Sequence, residues 1–207
     1  MKKSINIAVL VSGGGTNLQA IIDFASEGKL ESGKIVKVIS SNPTAYALER
    51  AKDNEIPTAV VVKKGVPQAE FEKLIIDELS SCNAEVIVLA GFMCILSKDF
   101  TDRYPERIIN VHPSLIPSFC GAGFYGLKVH EKALEYGVKV TGATVHFVNE
   151  IPDGGKIIMQ KAVEIKEKDT PKTLQKRVME QAEWKILPKS LELVCKNLLK
   201  EKKNECN

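Results

Sequence analysis

The sequence predicts an α/β fold: a mostly parallel, twisted, Rossmann-like sheet flanked by helices, with an antiparallel part in the C-terminal half. Three observations predict it. Short β-branched runs alternate with segments of helical period up to residue 111. The run 86–90, Val-Ile-Val-Leu-Ala, is apolar throughout, as expected of a strand covered on both faces. The first run, Ile5–Val11, passes through Ser12-Gly13-Gly14-Gly15-Thr16-Asn17 straight into a helical pattern, a strand–turn–helix unit.

Taken in order, 5–11 reads as a strand and 18–26 as a helix. A strand over 35–40 and a helix over 45–54 follow, then a strand over 58–62 and a helix over 68–81. The strand 86–90 leads to a short helix near 98–103 and a strand over 108–111. The rhythm then changes. A helix is expected over 129–136, and two strands, 141–149 and 156–165, flank Ile151-Pro152-Asp153-Gly154-Gly155. Residues 173–200 form a long amphipathic helix that Pro188 should break or kink. No repeat or linker interrupts the chain. It reads as a single domain over 1–207, with a nucleotide-binding-like half, 1–110, and a half, 111–207, that completes the site.

The bulk numbers narrow the function classes. The 207 residues carry 29 basic and 26 acidic side chains, a net charge of +3 that is too balanced to suggest a nucleic-acid partner. No apolar run approaches the ~20 residues that span a bilayer, and the short one at the N-terminus runs into a glycine loop without a cleavage site. The five cysteines, Cys82, Cys94, Cys120, Cys195 and Cys206, are scattered and form no C-x-x-C. A disulfide framework or metal site is therefore not expected, and a reducing, cytoplasmic location is.

Three motifs carry chemistry. Glycines 13–15 let the backbone approach an anion, and the helix that follows offers unpaired N–H groups and the positive end of its dipole. The spacing fits neither the dinucleotide fingerprint nor the P-loop, so the motif reads either as a phosphate cradle or as a tight capped turn. Asn110 and His112 are two apart at a strand's C-terminal end, so they share a face where open α/β sheets bind ligands. An amide beside an imidazole suits oxyanion stabilisation and proton transfer, or else a hydrogen-bonded strand end. Asp153 is either a turn residue before two glycines or a carboxylate that reaches His112 and raises its pKa. His146 either is structural or lines the same pocket, and His130 is expected on a helix surface.

Residues 7–21, beginning Ile7-Ala8-Val9 and containing the glycine loop, resemble the phosphate-loop signature of phosphoribosylglycinamide formyltransferases. Val88-Leu89-Ala90-Gly91-Phe92-Met93, then Ile95-Leu96, is similar to their folate segment. Asn110-Val111-His112-Pro113-Ser114-Leu115-Ile116-Pro117 is similar to their catalytic strand end, and Val145-His146-Phe147-Val148 with Asp153-Gly154-Gly155 to their second catalytic segment. The resemblance covers about residues 5–195, with the motifs in family order.

It implies the Rossmann-like formyltransferase fold and transfer of a formyl group from 10-formyltetrahydrofolate to the amine of glycinamide ribonucleotide in purine synthesis, without a metal. It implies that Asn110, His112 and Asp153 are catalytic, that Gly15, Thr16 and Asn17 hold the phosphate, and that Glu183 contacts the ribose or amine end. It implies a folate site of Gln68, Met93, Cys94, Ile95, Leu96, Asn110, Asn149, Glu150, Ile151, Pro152 and Asp153. Cys94 stands where many members have an arginine, Gln68 falls near a position that is an arginine in some members, and the loop 118–126 is longer than in the shortest members. The expected partners are the two substrates, with no nucleic acid or membrane, and the chain as monomer or homodimer. The rival readings are a related enzyme of formyltetrahydrofolate, such as its hydrolase or another formyltransferase, for which further domains are expected, and a non-catalytic phosphosugar-binding protein.

Overall fold

The structure, a computed structural model, describes residues 4–204. Its centre is a seven-stranded sheet in the order β3-β2-β1-β4-β5-β6-β7. Strands β1 (Ile5–Val11), β2 (Gly33–Ser40), β3 (Thr58–Val60), β4 (Val86–Leu89) and β5 (Ile108–His112) run parallel. β6 (Val140–Phe147) and β7 (Ile157–Glu164) add antiparallel pairs, as the change of rhythm after residue 111 predicts. The helices are α1 (Thr16–Ser26), α2 (Ala47–Asp53), α3 (Gln68–Ser81), α4 (Lys98–Thr101), α5 (Leu127–Tyr136), α6 (Pro171–Val178) and α7 (Trp184–Asn204). Cys206 lies outside the described residues.

β1 is apolar on both faces because both are covered. Ile7, Val9 and Val11 join one buried cluster with Leu18 and Ile21 of α1 and Leu187 and Leu191 of α7. Ala8 and Leu10 join another with Phe71, Ile75 and Leu79 of α3 and Phe100 of α4. Truncating a fully buried aromatic such as Phe71 to Ala should cost about 3–5 kcal/mol. The chain order reverses between β1 and β4: β1 leads outward to β2 on one side, and β4 leads to β5 on the other. That reversal opens a crevice at the carboxyl ends of these strands, and the glycine loop, segment 91–96 and the end of β5 all stand there.

Two expectations need correction. The long C-terminal helix is broken before Pro188, not at it. A π-turn, Met179–Glu183, separates α6 from α7, and Pro188 lies inside α7. Pro188 lacks the N–H for its i→i−4 bond, yet α7 continues past it to Asn204. His130, expected on a helix surface, is fully buried on α5. Neither ring nitrogen has a hydrogen-bond partner among the described residues, and burial pushes its pKa down to about 4, so it packs as a neutral ring.

Candidate active site

The glycine loop is built as an uncapped helix start. Gly15 occupies the left-handed region at φ 71° and ends the turn without a side-chain cap, and the first turn of α1 has no acidic residue. The leading N–H groups of the helix therefore have neither an intrahelical acceptor nor a local carboxylate. Asn17, nearly buried, donates from Nδ2 to Glu183 Oε2 at 2.8 Å, and its own Oδ1 is unsatisfied. Glu183 comes from the π-turn, and burial raises its carboxyl to about 7 against the pull of the Asn17 amide.

Segment 91–97 follows β4. Ser12 Oγ accepts from Met93 N–H at 2.9 Å, and so ties this segment to the start of the glycine loop. Glu72, buried on α3, accepts from Ser97 N–H, from Ser97 Oγ–H and from Gln68 Nε2, each at 2.6 Å. Gln68 Nε2 also donates to the Ile95 carbonyl at 3.0 Å. The Gln68 amide thus clips the segment's backbone and is not an outstretched ligand arm. Met93 and Ile95 are exposed, Leu96 is buried, and Cys94 is half-buried with its thiol pKa raised by burial. A narrow cleft of about 130 Å³ runs between Phe92, Cys94, Ile95 and Leu96 on one wall and Asn149, Glu150, Ile151, Pro152 and Asp153 on the other. Its lining mixes apolar side chains with Asn110, His146, Asn149, Glu150 and Asp153.

At the end of β5, Asn110 pairs across the sheet with His146 and His112 with Thr144. His146 Nδ1–H donates to the Phe147 carbonyl at 2.8 Å, so in the neutral ring Nε2 accepts from Asn110 Nδ2 at 3.2 Å. That bond orients the Asn110 amide and leaves its second N–H for a ligand. His112 Nε2–H donates to the Phe119 carbonyl at 2.9 Å, and Nδ1 faces Asp153 Oδ2 at 3.3 Å. The latter contact becomes a hydrogen bond only when a proton lies between the two atoms.

Asp153 is both things the sequence left open: a turn residue at φ 57° and a half-buried carboxylate. The turn needs its glycines, because a Cβ on Gly155 would stand 1.8 Å from the Phe147 carbonyl oxygen. The carboxylate also meets His146 Nε2 at 3.5 Å and accepts from Gly121 N–H at 2.8 Å. Burial raises the Asp153 pKa, but its contacts with His146, the charge of His112 and the Gly121 N–H outweigh it, and the net shift is downward. His112 corrects the expectation of a raised pKa. Burial lowers it, and this outweighs the opposing pull of Asp153 and of the Phe119 carbonyl.

Part of this opens on one cleft of about 670 Å³, whose lining includes Asn17 but neither Gly15 nor Thr16; Thr16 lines a separate hollow with Gln19 and Arg50. Asn17 and Glu183 stand on the first cleft together with Asn110, His112, Asp153, the segment from Gly91 to Ile95 and the loop from Gly121 to Gly126. Three contributors escaped sequence reasoning as site residues: Ser12, Glu72 and the Phe119 carbonyl. The first two are common residue types whose roles depend on tertiary contacts. The third is a backbone atom, which no side-chain pattern reveals. Among the described residues there is no cluster of three or more possible metal ligands, and no helix is long and apolar enough to cross a membrane.

Asn17 at the start of α1, an amide–imidazole–carboxylate group and the segment from Gly91 to Ile95 on one crevice are parts that suit a group-transfer enzyme. The chain belongs to the formyl transferase family, which it matches over residues 5–191. It is 42% identical over 205 residues to the phosphoribosylglycinamide formyltransferase of Haemophilus influenzae, covering 99% of this chain and 92% of that one. It is 45% identical over 194 residues to the human trifunctional purine biosynthetic protein adenosine-3, and there it spans only 18% of the relative's length. Among solved structures, glycinamide ribonucleotide transformylase 1 from Symbiobacterium toebii superposes with a TM-score of 0.88 at 37% identity, covering 95% of this chain and 90% of that one.

Proposed function

We propose that the chain transfers the formyl group from N10 of 10-formyltetrahydrofolate to the primary amine of glycinamide ribonucleotide, a step of purine synthesis. One observation carries this reading: the Asn110–His112–Asp153 group shares its cleft with Asn17 of the glycine loop on one side and segment 91–95 on the other. In this reading the phosphate rests on backbone N–H groups of Gly15, Thr16 and Asn17, and Glu183 takes the ribose hydroxyls. The folate ring lies against the backbone of 93–96, with Asn149 to Asp153 as the facing wall.

The amine nitrogen attacks the formyl carbon. As the new C–N bond forms, charge gathers on the formyl oxygen. Asn110 N–H and His112 Nε2–H donate to it, the oxygen taking the place of the Phe119 carbonyl on His112. Loss of one such donor typically costs about 100- to 1,000-fold in rate. The intermediate collapses by breaking the bond from carbon to N10, and the proton lost by the amine reaches N10 through the His112–Asp153 pair. No covalent enzyme intermediate is needed, and holding both substrates in place supplies much of the rest.

The test is direct. The protein is mixed with 10-formyltetrahydrofolate and glycinamide ribonucleotide, and folate product is followed by absorbance. Turnover that requires both substrates supports the reading. Product formed equally well without the ribonucleotide would indicate a hydrolase, and tight ribonucleotide binding without turnover would indicate a binding protein.

A further inference from the structure

Each carbonyl of the glycine loop is already bonded within the protein. Gly13 O accepts from Ala47 N–H at 3.1 Å, Gly14 O from Arg50 Nε–H at 2.9 Å, and Gly15 O from Gln19 N–H at 2.9 Å. Two of these three donors belong to α2. The same helix shapes the third glycine, since a Cβ on Gly15 would stand 2.6 Å from Ala47 Cβ and 3.4 Å from Arg50 Cδ. Arg50 is fixed besides by a bond from Nη1 to Gln19 Oε1 at 3.0 Å and by the Tyr46 ring, whose centroid lies 5.0 Å from the guanidinium carbon. No other lysine or arginine hydrogen-bonds residues 13–17 among the described residues.

A turn whose carbonyls are tied outward presents its N–H groups to the other side, which makes an anion-binding concavity. A carbonyl that swung back would set a partial negative charge against the anion. A fixed cation behind the turn adds to the positive end of the α1 dipole, and it matters more there because the helix start has no side-chain cap.

We propose that Arg50 is a positioning residue for the substrate phosphate: it holds the Gly14 carbonyl out of the cradle and places a fixed positive charge behind it. The inference rests on the reading of this loop as the phosphate site.

The experiment compares wild type, Arg50→Gln and Arg50→Lys in the full chain. Binding of ribose 5-phosphate is measured by calorimetry, and kcat/KM is measured with glycinamide ribonucleotide and with its dephosphorylated riboside. Arg50→Gln should weaken ribose 5-phosphate binding and lower kcat/KM for the phosphorylated substrate by roughly 10- to 50-fold. The riboside's kcat/KM and the folate KM should stay within about 2-fold. Arg50→Lys, which keeps the charge, should recover part of the loss. A loss equal for ribonucleotide and riboside would show a merely structural role and overturn the proposal, as would unchanged ribose 5-phosphate binding by a folded Arg50→Gln. If Arg50→Gln does not fold, Arg50→Lys decides: it should keep riboside turnover while losing several-fold on the phosphorylated substrate. Failure of the wild type itself to bind ribose 5-phosphate would instead overturn the phosphate-site reading beneath it.

Discussion

Glu183→Gln should remove this carboxyl's own contribution to the pH dependence of stability of the unliganded protein. The Glu183 carboxyl is buried and its pKa rises from 4.5 to about 7. The folded state therefore binds this proton more tightly than the unfolded chain does. Between the two values the native state holds more protons, so stability falls as pH rises from 4.5 to about 7 and stays lowered above that. A shift of about 2.5 units, at 1.36 kcal/mol per unit, corresponds to about 3 kcal/mol as an upper figure. Glutamine keeps an oxygen to accept from Asn17 Nδ2 and carries no charge to desolvate. The assay is urea unfolding of both proteins at pH 5 and pH 8. The variant should be more stable than wild type at pH 8 by up to about 3 kcal/mol and nearly equal to it at pH 5. Equal stability at both pH values would refute the claim that the carboxylate is held at a desolvation cost for ligand binding.

Gly15→Ala forces a side chain into the left-handed region against Ala47, and it should raise the KM for glycinamide ribonucleotide far more than that for folate; equal effects would count against the loop's assignment. Glu72→Gln weakens the clip on Ser97 and Ile95, and in steady-state kinetics it should raise the folate KM by about 10-fold while leaving the ribonucleotide KM alone. If the segment reads folate through its backbone, as proposed, Cys94→Ala should leave folate binding within a few-fold in a direct titration, since burial raises the thiol's pKa; near-complete loss with the fold intact would show that the sulfur is used.

Much of this was legible because it follows from chain geometry. The strand-to-glycine-to-helix passage at 11–16 and the shared face of Asn110 and His112 need only local rules. Other features depend on register and packing. His146 meets Asn110 because β6 is set antiparallel to β5 in one particular register, which the hydrophobic pattern of either strand alone does not state. His130 is inside because α5 packs on α6, and a histidine on an amphipathic helix does not announce its side. The lowered pKa of His112 reverses the simple pairwise argument, since the carboxylate's pull was foreseeable and the larger desolvation was not. The π-turn that carries Glu183 has no sequence signal of its own.

The proposed mechanism stands or falls on proton transfer through the His112–Asp153 pair, whose Nδ1 and Oδ2 lie 3.3 Å apart. Asp153→Asn keeps the shape of the turn and removes the charge, so a single steady-state comparison with wild type tests it. The account predicts a turnover number lowered by at least about 100-fold, with the KM for glycinamide ribonucleotide within a few-fold, because the lost interaction matters as charge develops and the phosphate is held elsewhere. A folded Asp153→Asn protein that turns over at the wild-type rate would contradict it.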